Sequence, residues 1–442
     1  MPSRTSQAPR VAVLADSDTR WKWGALTARR IAAGDDPAAS AEPAGFLLRG
    51  RATPTARQLA EVGVAADDVR EVTAAGFLRA MRDEGYDVVV LALVGGAVQA
   101  VLQGTAALRL PRRPVLVTGY VGVVYEKLAD GLLLRHGADV VLANSRHDAE
   151  RFRAVYEGVG VDPSPVTEAA LPFLGGAPYQ RRDDRDTVVF AVQPSVPESR
   201  SDREYLLGRL AGHARLHPSR EVLLKLRSRP GEHTTHLEEV PYQRLAERLP
   251  GRLPPNLSLV YGHMGEVLDR TDLLVTVSST AALEALHRRI PTAILTDLGV
   301  REALGNHHFL GSGLLTSWDR LDRGHRPVPD EEWLARQGVA ADGRYETAFD
   351  EARERVAALL RRPDLPPVTP YYTPTTAPGY LPGILARHRL APDGSPLPGT
   401  EPAAGPTGVR RFVRDAVRGA ARGAYRHGVQ RVAPVIRRMG EL

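Results

Sequence analysis

The sequence predicts an α/β protein of two successive parallel-sheet domains facing a cleft, followed by a proline-rich connector and a basic amphipathic helix. Three observations carry this. Short continuous apolar runs alternate with segments of helical periodicity, as strands covered on both faces by helices do. The alternation occurs twice, and residues 171–186 between the two series combine Gly, Pro and charge without periodicity. Finally, 363–408 holds twelve of the thirty-five prolines, a composition that suits an extended connector rather than a third core.

The first domain is expected over 9–175, with strands at Val11–Ala15, 46–48, 87–94, 114–118, 138–143 and 166–170. Helices are expected between them, for example at 52–62 and 77–84. Ser145 and Asp148 have capping-box spacing at the start of the last helix and read as structural. The second domain, 185–330, repeats the pattern with strands at 187–192, 221–226, 256–261, 273–277 and 292–296. A helical segment at 331–362 packs back across the junction, and 363–407 connects it to a tail at 408–442. Such paired doubly wound, Rossmann-like domains bind ligands at the carboxyl ends of their strands.

Composition narrows the chemistry. With 43% apolar and 25% charged residues, the 442-residue chain reads as a soluble globular protein. The absence of cysteine excludes disulfides, thiol catalysis and thiolate metal sites. The longest apolar run, 88–102, is interrupted by Gly95, Gly96 and Gln99, and no secretory apolar segment opens the chain; a cytoplasmic location is expected. The net charge of +6 belongs to the tail, where nine arginines face two acids, leaving a near-neutral body that argues against nucleic acid as partner. Lysine occurs only at 22, 127 and 225; a lysine kept amid so much arginine suits a compact charge on a phosphate.

The most informative stretch is 272–297. An apolar strand feeds Ser278, Ser279 and Thr280 into a helix start, where unpaired N–H groups and the helix dipole favour a phosphate. The alternative is that Ser279 or Thr280 merely caps the helix. Glu284 lies outside capping-box spacing and needs a partner such as a ribose hydroxyl. Loops after the other strands of this domain bring Gln193, Ser195, Lys225, Arg227 and His236, a set able to hold a nucleotide phosphate without a metal.

On these residues the second half resembles the donor-binding domain of bacterial GT-B glycosyltransferases, in pattern the capsule- and teichoic-acid-type enzymes, including polysialyltransferases and glycerophosphotransferases. The chain to about residue 360 is also similar to an uncharacterised actinobacterial family of glycosyltransferases. The resemblance implies that Ser278, Ser279 and Thr280 bind the phosphate and Glu284 the ribose. The family's basic loop usually reads His-Pro; here the equivalent loop runs from Lys225 to His236 without it, which leaves the nucleotide open.

In the first domain, Asp16 and Asp18 follow the first strand and read either as an Asx-turn with a helix cap or as the general base for an acceptor hydroxyl. His136 is the reserve base, Trp21 or Trp23 a sugar-stacking face, and Lys22, Gly119, Gly122 and Lys127 complete the acceptor side. The tail repeats arginine at 410, 414, 418, 422 and 426 opposite an Ala/Val face. It reads as a helix for an anionic membrane surface, or as one docked on protein. The expected function is metal-independent, cofactor-free transfer of a sugar or related group from a nucleotide donor to an envelope glycan or lipid-linked acceptor. The rival readings are a nucleotide-sugar epimerase and a non-catalytic nucleotide- or glycan-binding scaffold.

Overall fold

A computed structural model describes residues 8–398 apart from 33–41, 51, 66–67, 124–126, 183–185, 230–231, 233–237, 239 and 340–343. The tail at 408–442 and His236 therefore lie outside the described residues.

The first domain runs β1 (Val11–Ala15), α1 (Asp18–Ala32), β2 (Ala44–Leu48), α2 (Ala56–Glu61), β3 (Arg70–Val72), α3 (Ala74–Glu84), β4 (Val88–Ala92), α4 (Gly95–Leu108), β5 (Val115–Gly119), α5 (Leu128–Leu133), β6 (Val140–Ala143), α6 (Arg146–Gly158) and β7 (Val166–Glu168). Its seven strands are parallel in the order β3-β2-β1-β4-β5-β6-β7. The apolar runs form the central strands: β1 and β4, in register from Val11 opposite Val88 to Ala15 opposite Ala92, are buried throughout. β3 escapes a sequence reading because it is a three-residue edge with two exposed positions.

The second domain runs β8 (Thr187–Ala191), α7 (Arg200–Leu216), β9 (Glu221–Lys225), α8 (Tyr242–Glu247), β10 (Leu257–Val260), α9 (Met264–Leu268), β11 (Leu273–Thr276), α10 (Ala281–His287), β12 (Thr292–Leu295) and β13 (Leu315–Thr316). Its sheet is also parallel, ordered β10-β9-β8-β11-β12-β13. In each sheet the strand order reverses once, between β1 and β4 and between β8 and β11. Such reversals splay the outgoing loops apart and create a ligand crevice.

After the second domain's strands the chain continues through α11 (Trp318–Asp322), α12 (Glu331–Arg336), α13 (Arg344–Thr347) and α14 (Asp350–Leu360). Leu334 packs into the second domain, whereas Phe349, Ala352 and Val356 join the core of the first, so the chain does return across the junction. Ser145 accepts a hydrogen bond from the Asp148 amide, the structural cap expected of it. The connector is more than an extended strap. Over its described part, α15 (Leu381–Arg387) forms, and Val368, Leu381, Ile384, Leu385 and Leu390 enter the first domain's core beside α4. Proline density does not prevent this, because Pro382 sits in the first turn of α15, where a missing N–H costs nothing.

Candidate active site

The two crevices face one another and enclose a cleft of about 520 Å3. The first domain lines it with Ser17, Asp18, Thr19 and Lys22 from the start of α1, Glu61 from α2, and Gly122 from the loop after β5. The second domain contributes Gln193 and Ser195 after β8, Lys225 and Arg227 at the end of β9, His263 after β10, and Ser278, Ser279, Thr280 and Glu284 around the start of α10. Most of the residues singled out in the sequence thus meet in one place.

Asp18 opens α1, where a carboxylate favours the helix dipole. Its Oδ1 accepts a hydrogen bond from Arg227 Nη2 at 2.8 Å, across the cleft. Arg227 also donates to the Thr19 hydroxyl. Lys22, one turn on, lies 3.5 Å from Glu284 and over the Phe173 ring. α1 can present both residues because it lies tightly on the sheet: a Cβ on Gly24 would come within 2.8 Å of Val13 and Ala92.

On the other wall, Ser278 is committed to the scaffold. Its hydroxyl donates to the Leu304 carbonyl at 2.6 Å, and Gln193 Oε1 accepts from the Ser278 amide at 3.2 Å. Ser279 Oγ lines the cleft and accepts from the Ala281 amide at 3.3 Å, at the start of α10. Thr280 stands at the cap position in a helical conformation and its side chain makes no capping hydrogen bond. That hydroxyl faces Gly122 across the cleft, where an added Cβ would lie 3.4 Å from it. Glu284 is nearly buried, and its partner is Lys22, a residue of the other domain that sequence spacing could not supply.

Lys225 is also nearly buried and donates to the Leu226 carbonyl at 2.7 Å. Burial lowers its pKa to about 8, opposed by Glu61 and Glu284 and assisted by Arg227. His263 is likewise lowered, by burial first and then by Lys22.

Several expected residues are placed elsewhere. Asp16 does not line the cleft; it accepts from Arg20 at 3.0 Å and from the Val94 amide at 3.0 Å, bracing the ends of β1 and β4. Trp21 and Trp23 are 3% and 1% exposed and cannot stack on a sugar, because α1 turns them into the core under Gly45 and Gly119. Gly119 packs against Trp23 and its carbonyl accepts from Arg135, so it serves packing. Lys127 lines a separate open groove with Tyr372 and Tyr380. His136 sits between Tyr156 and Tyr371, away from the cleft, with its pKa lowered by burial.

The structure adds residues that pattern alone passed over. Glu61 reaches the cleft from α2, while Arg57 on the same helix bonds Glu232 of the second domain, Nε to Oε1 at 2.5 Å. Arg203, fully buried, donates to the carbonyls of Gln193 at 3.0 Å and Pro194 at 3.1 Å, holding the loop after β8 in shape. His263 had a usable signal, since it directly follows a strand whose loop must face the cleft. Among the described residues the one three-ligand cluster, His213, His217 and Asp322, lies away from the cleft. There His213 is held between Asp322 at 2.6 Å and Arg220 at 2.9 Å.

Solved structures of similar fold were found. A Staphylococcus aureus MnaA–UDP complex matches with a TM-score of 0.50 and 11% identity over 79% of this chain and 95% of that one. A putative UDP-N-acetylglucosamine 2-epimerase from Listeria monocytogenes gives 0.49 and 12% over 80% and 95%. The glycosyltransferase SnogD from Streptomyces nogalater gives 0.42 and 15% over 79% and 95%. At such identity the first of these likenesses speaks for the two-domain fold alone. No curated protein matches the chain in sequence. A family model does match, over residues 11–359, which spans both domains and every cleft residue described above: the chain belongs to the family described as "Putative glycosyltransferase (DUF6716)".

Proposed function

We propose that this GT-B glycosyltransferase moves a sugar, or a related activated group, from a nucleoside diphosphate donor to a hydroxyl of an envelope glycan or lipid-linked acceptor, without a metal or other cofactor. One observation carries the reading. Lys225, Arg227, Ser279 and Thr280 line one wall of the cleft and the Asp18 carboxylate lines the other.

The cations and hydroxyls suit a diphosphate, whose charge grows as the glycosidic bond to phosphate breaks. In this reading Glu284 takes a ribose hydroxyl. The acceptor oxygen attacks the anomeric carbon, the carbon–phosphate-oxygen bond breaks, the nucleotide departs with that electron pair, and Asp18 takes the acceptor proton. Asp16 is engaged by Arg20 and the Val94 amide outside the cleft, which favours Asp18 over it as the base. The S. aureus neighbour carries UDP, so UDP-linked sugars are the first donors to try.

The test is a donor panel of UDP-, GDP-, CDP- and CMP-sugars, read by thermal shift, calorimetry and nucleotide release. Ser279→Ala combined with Thr280→Ala should weaken nucleotide binding by about tenfold or more while folding is kept, since a lost cap costs only about 1 kcal/mol. Unchanged affinity would refute the phosphate seat. Epimerised sugar nucleotide appearing without an acceptor would replace transfer with the epimerase reading, and binding without turnover across acceptors would leave a scaffold.

A further inference from the structure

Three ion pairs join the two domains. Asp18 meets Arg227 at 2.8 Å, Lys22 meets Glu284 at 3.5 Å, and Arg57 meets Glu232. Arg227 and Arg57 keep 31% and 26% of their side chains exposed, whereas Asp18 at 11%, Lys22 and Glu284 at 12% and Glu232 at 14% are largely withdrawn from water. In such surroundings a charge left alone is costly, so each group keeps a partner until another replaces it. The first two pairs line the cleft itself, whereas Arg57 and Glu232 do not. Arg227 is the telling member. A guanidinium recognises carboxylate and phosphate oxygens with the same planar fork, and both hydrogens of Arg227 Nη2 are given to Asp18 and Thr19, so a diphosphate gripping that edge must displace them.

We infer that Asp18 holds the place on Arg227 that the donor's diphosphate takes, so that donor binding releases the carboxylate for the acceptor hydroxyl. This rests on the donor reading given above and adds an order to it. An acceptor entering first meets an Asp18 whose Oδ1 is engaged by Arg227 and by Thr19. Once the diphosphate holds Arg227, the same oxygen is available for the proton. The Arg57–Glu232 pair lies off the donor's path and keeps the domains together while the inner pairs exchange.

Calorimetric titration of the full-length protein with UDP, and separately with inorganic diphosphate, tests this. Competition by Asp18 lowers apparent affinity by the fraction of protein with Arg227 engaged, and Asp18→Asn removes it without changing shape. Both probes should then bind about tenfold more tightly, equivalent to about 1.4 kcal/mol, while turnover falls. Asp18→Ser keeps a helix-starting residue and repeats the test should the asparagine variant fold poorly. Glu61→Gln is the control, because Glu61 is a cleft carboxylate that pairs with Arg57 on its own helix; it should tighten binding far less. Equal tightening in both variants, or none in the Asp18 variants, overturns the exchange while leaving the donor site standing. Failure of both probes to bind any of these proteins overturns the donor reading and the exchange together.

Discussion

Lys225 shows how a single side chain can be tuned by its neighbours. It ends an apolar strand, so its ammonium is drawn in behind the packing, and desolvation makes the charged form less favourable. With a pKa lowered to about 8, it is cationic at pH 7 and loses its proton as pH rises through about 8. A diphosphate needs the cation, so UDP affinity should decline across that range, and binding near pH 8 should draw a proton from the buffer. Lys225→Arg should bind UDP more weakly at pH 7, because the broad planar guanidinium does not fit a seat made for a point charge. It should also abolish the decline, since arginine stays charged. Calorimetry from pH 6.5 to about 9.5 in buffers of different ionisation heat checks both. A decline that persists in the arginine variant would assign the titration to another group.

Among the elements, α1 matters most, since it delivers Asp18 and Lys22 while holding Trp21 and Trp23 in the core. Its position depends on Gly24, which lets the helix approach β1 and β4. Gly24→Ala would press a methyl group into Val13 and Ala92. Overpacking of that kind costs roughly 1–3 kcal/mol, and the helix must shift to relieve it. The expected outcome is a lower urea midpoint together with a loss of turnover greater than the loss of nucleotide affinity. The reason is that the shift moves Asp18 and leaves the β9 and α10 wall in place. A stability loss with unchanged turnover per folded molecule would show that α1 yields locally.

Over the whole molecule, the described part of the connector completes the first domain's core, and the tail beyond it carries the basicity. Chain truncations separate these roles. Ending the chain at 407 should keep nucleotide binding and the urea midpoint but abolish sedimentation with anionic liposomes, which the full-length protein should show in a salt-sensitive way. Ending it at 362 removes Leu381, Ile384 and Leu385, each worth about 1.5–3 kcal/mol when buried, and should give an unstable or aggregating protein. Equal sedimentation of the full-length and 407-residue chains would assign the tail to packing or self-association instead. Among the described residues, no helix is long and apolar enough to cross a membrane.

The two parallel-sheet domains and the hydroxyl turn before α10 were legible in the chain, because continuous apolar strands and loops after strand ends are local patterns. It also brought Lys225, Arg227, Asp18 and Thr280 under suspicion through their place in such loops. What it left open was direction and partnership. The choice between Asp16 and Asp18 depends on which carboxylate the Val94 amide and Arg20 engage, and the burial of Trp21 and Trp23 on how α1 is rotated against β1. Glu284 was expected to wait for a ribose; that Lys22 meets it first is a fact about two domains closing. Those partners lie more than two hundred residues apart, and only the tertiary fold, by removing both charges from water, makes each need the other.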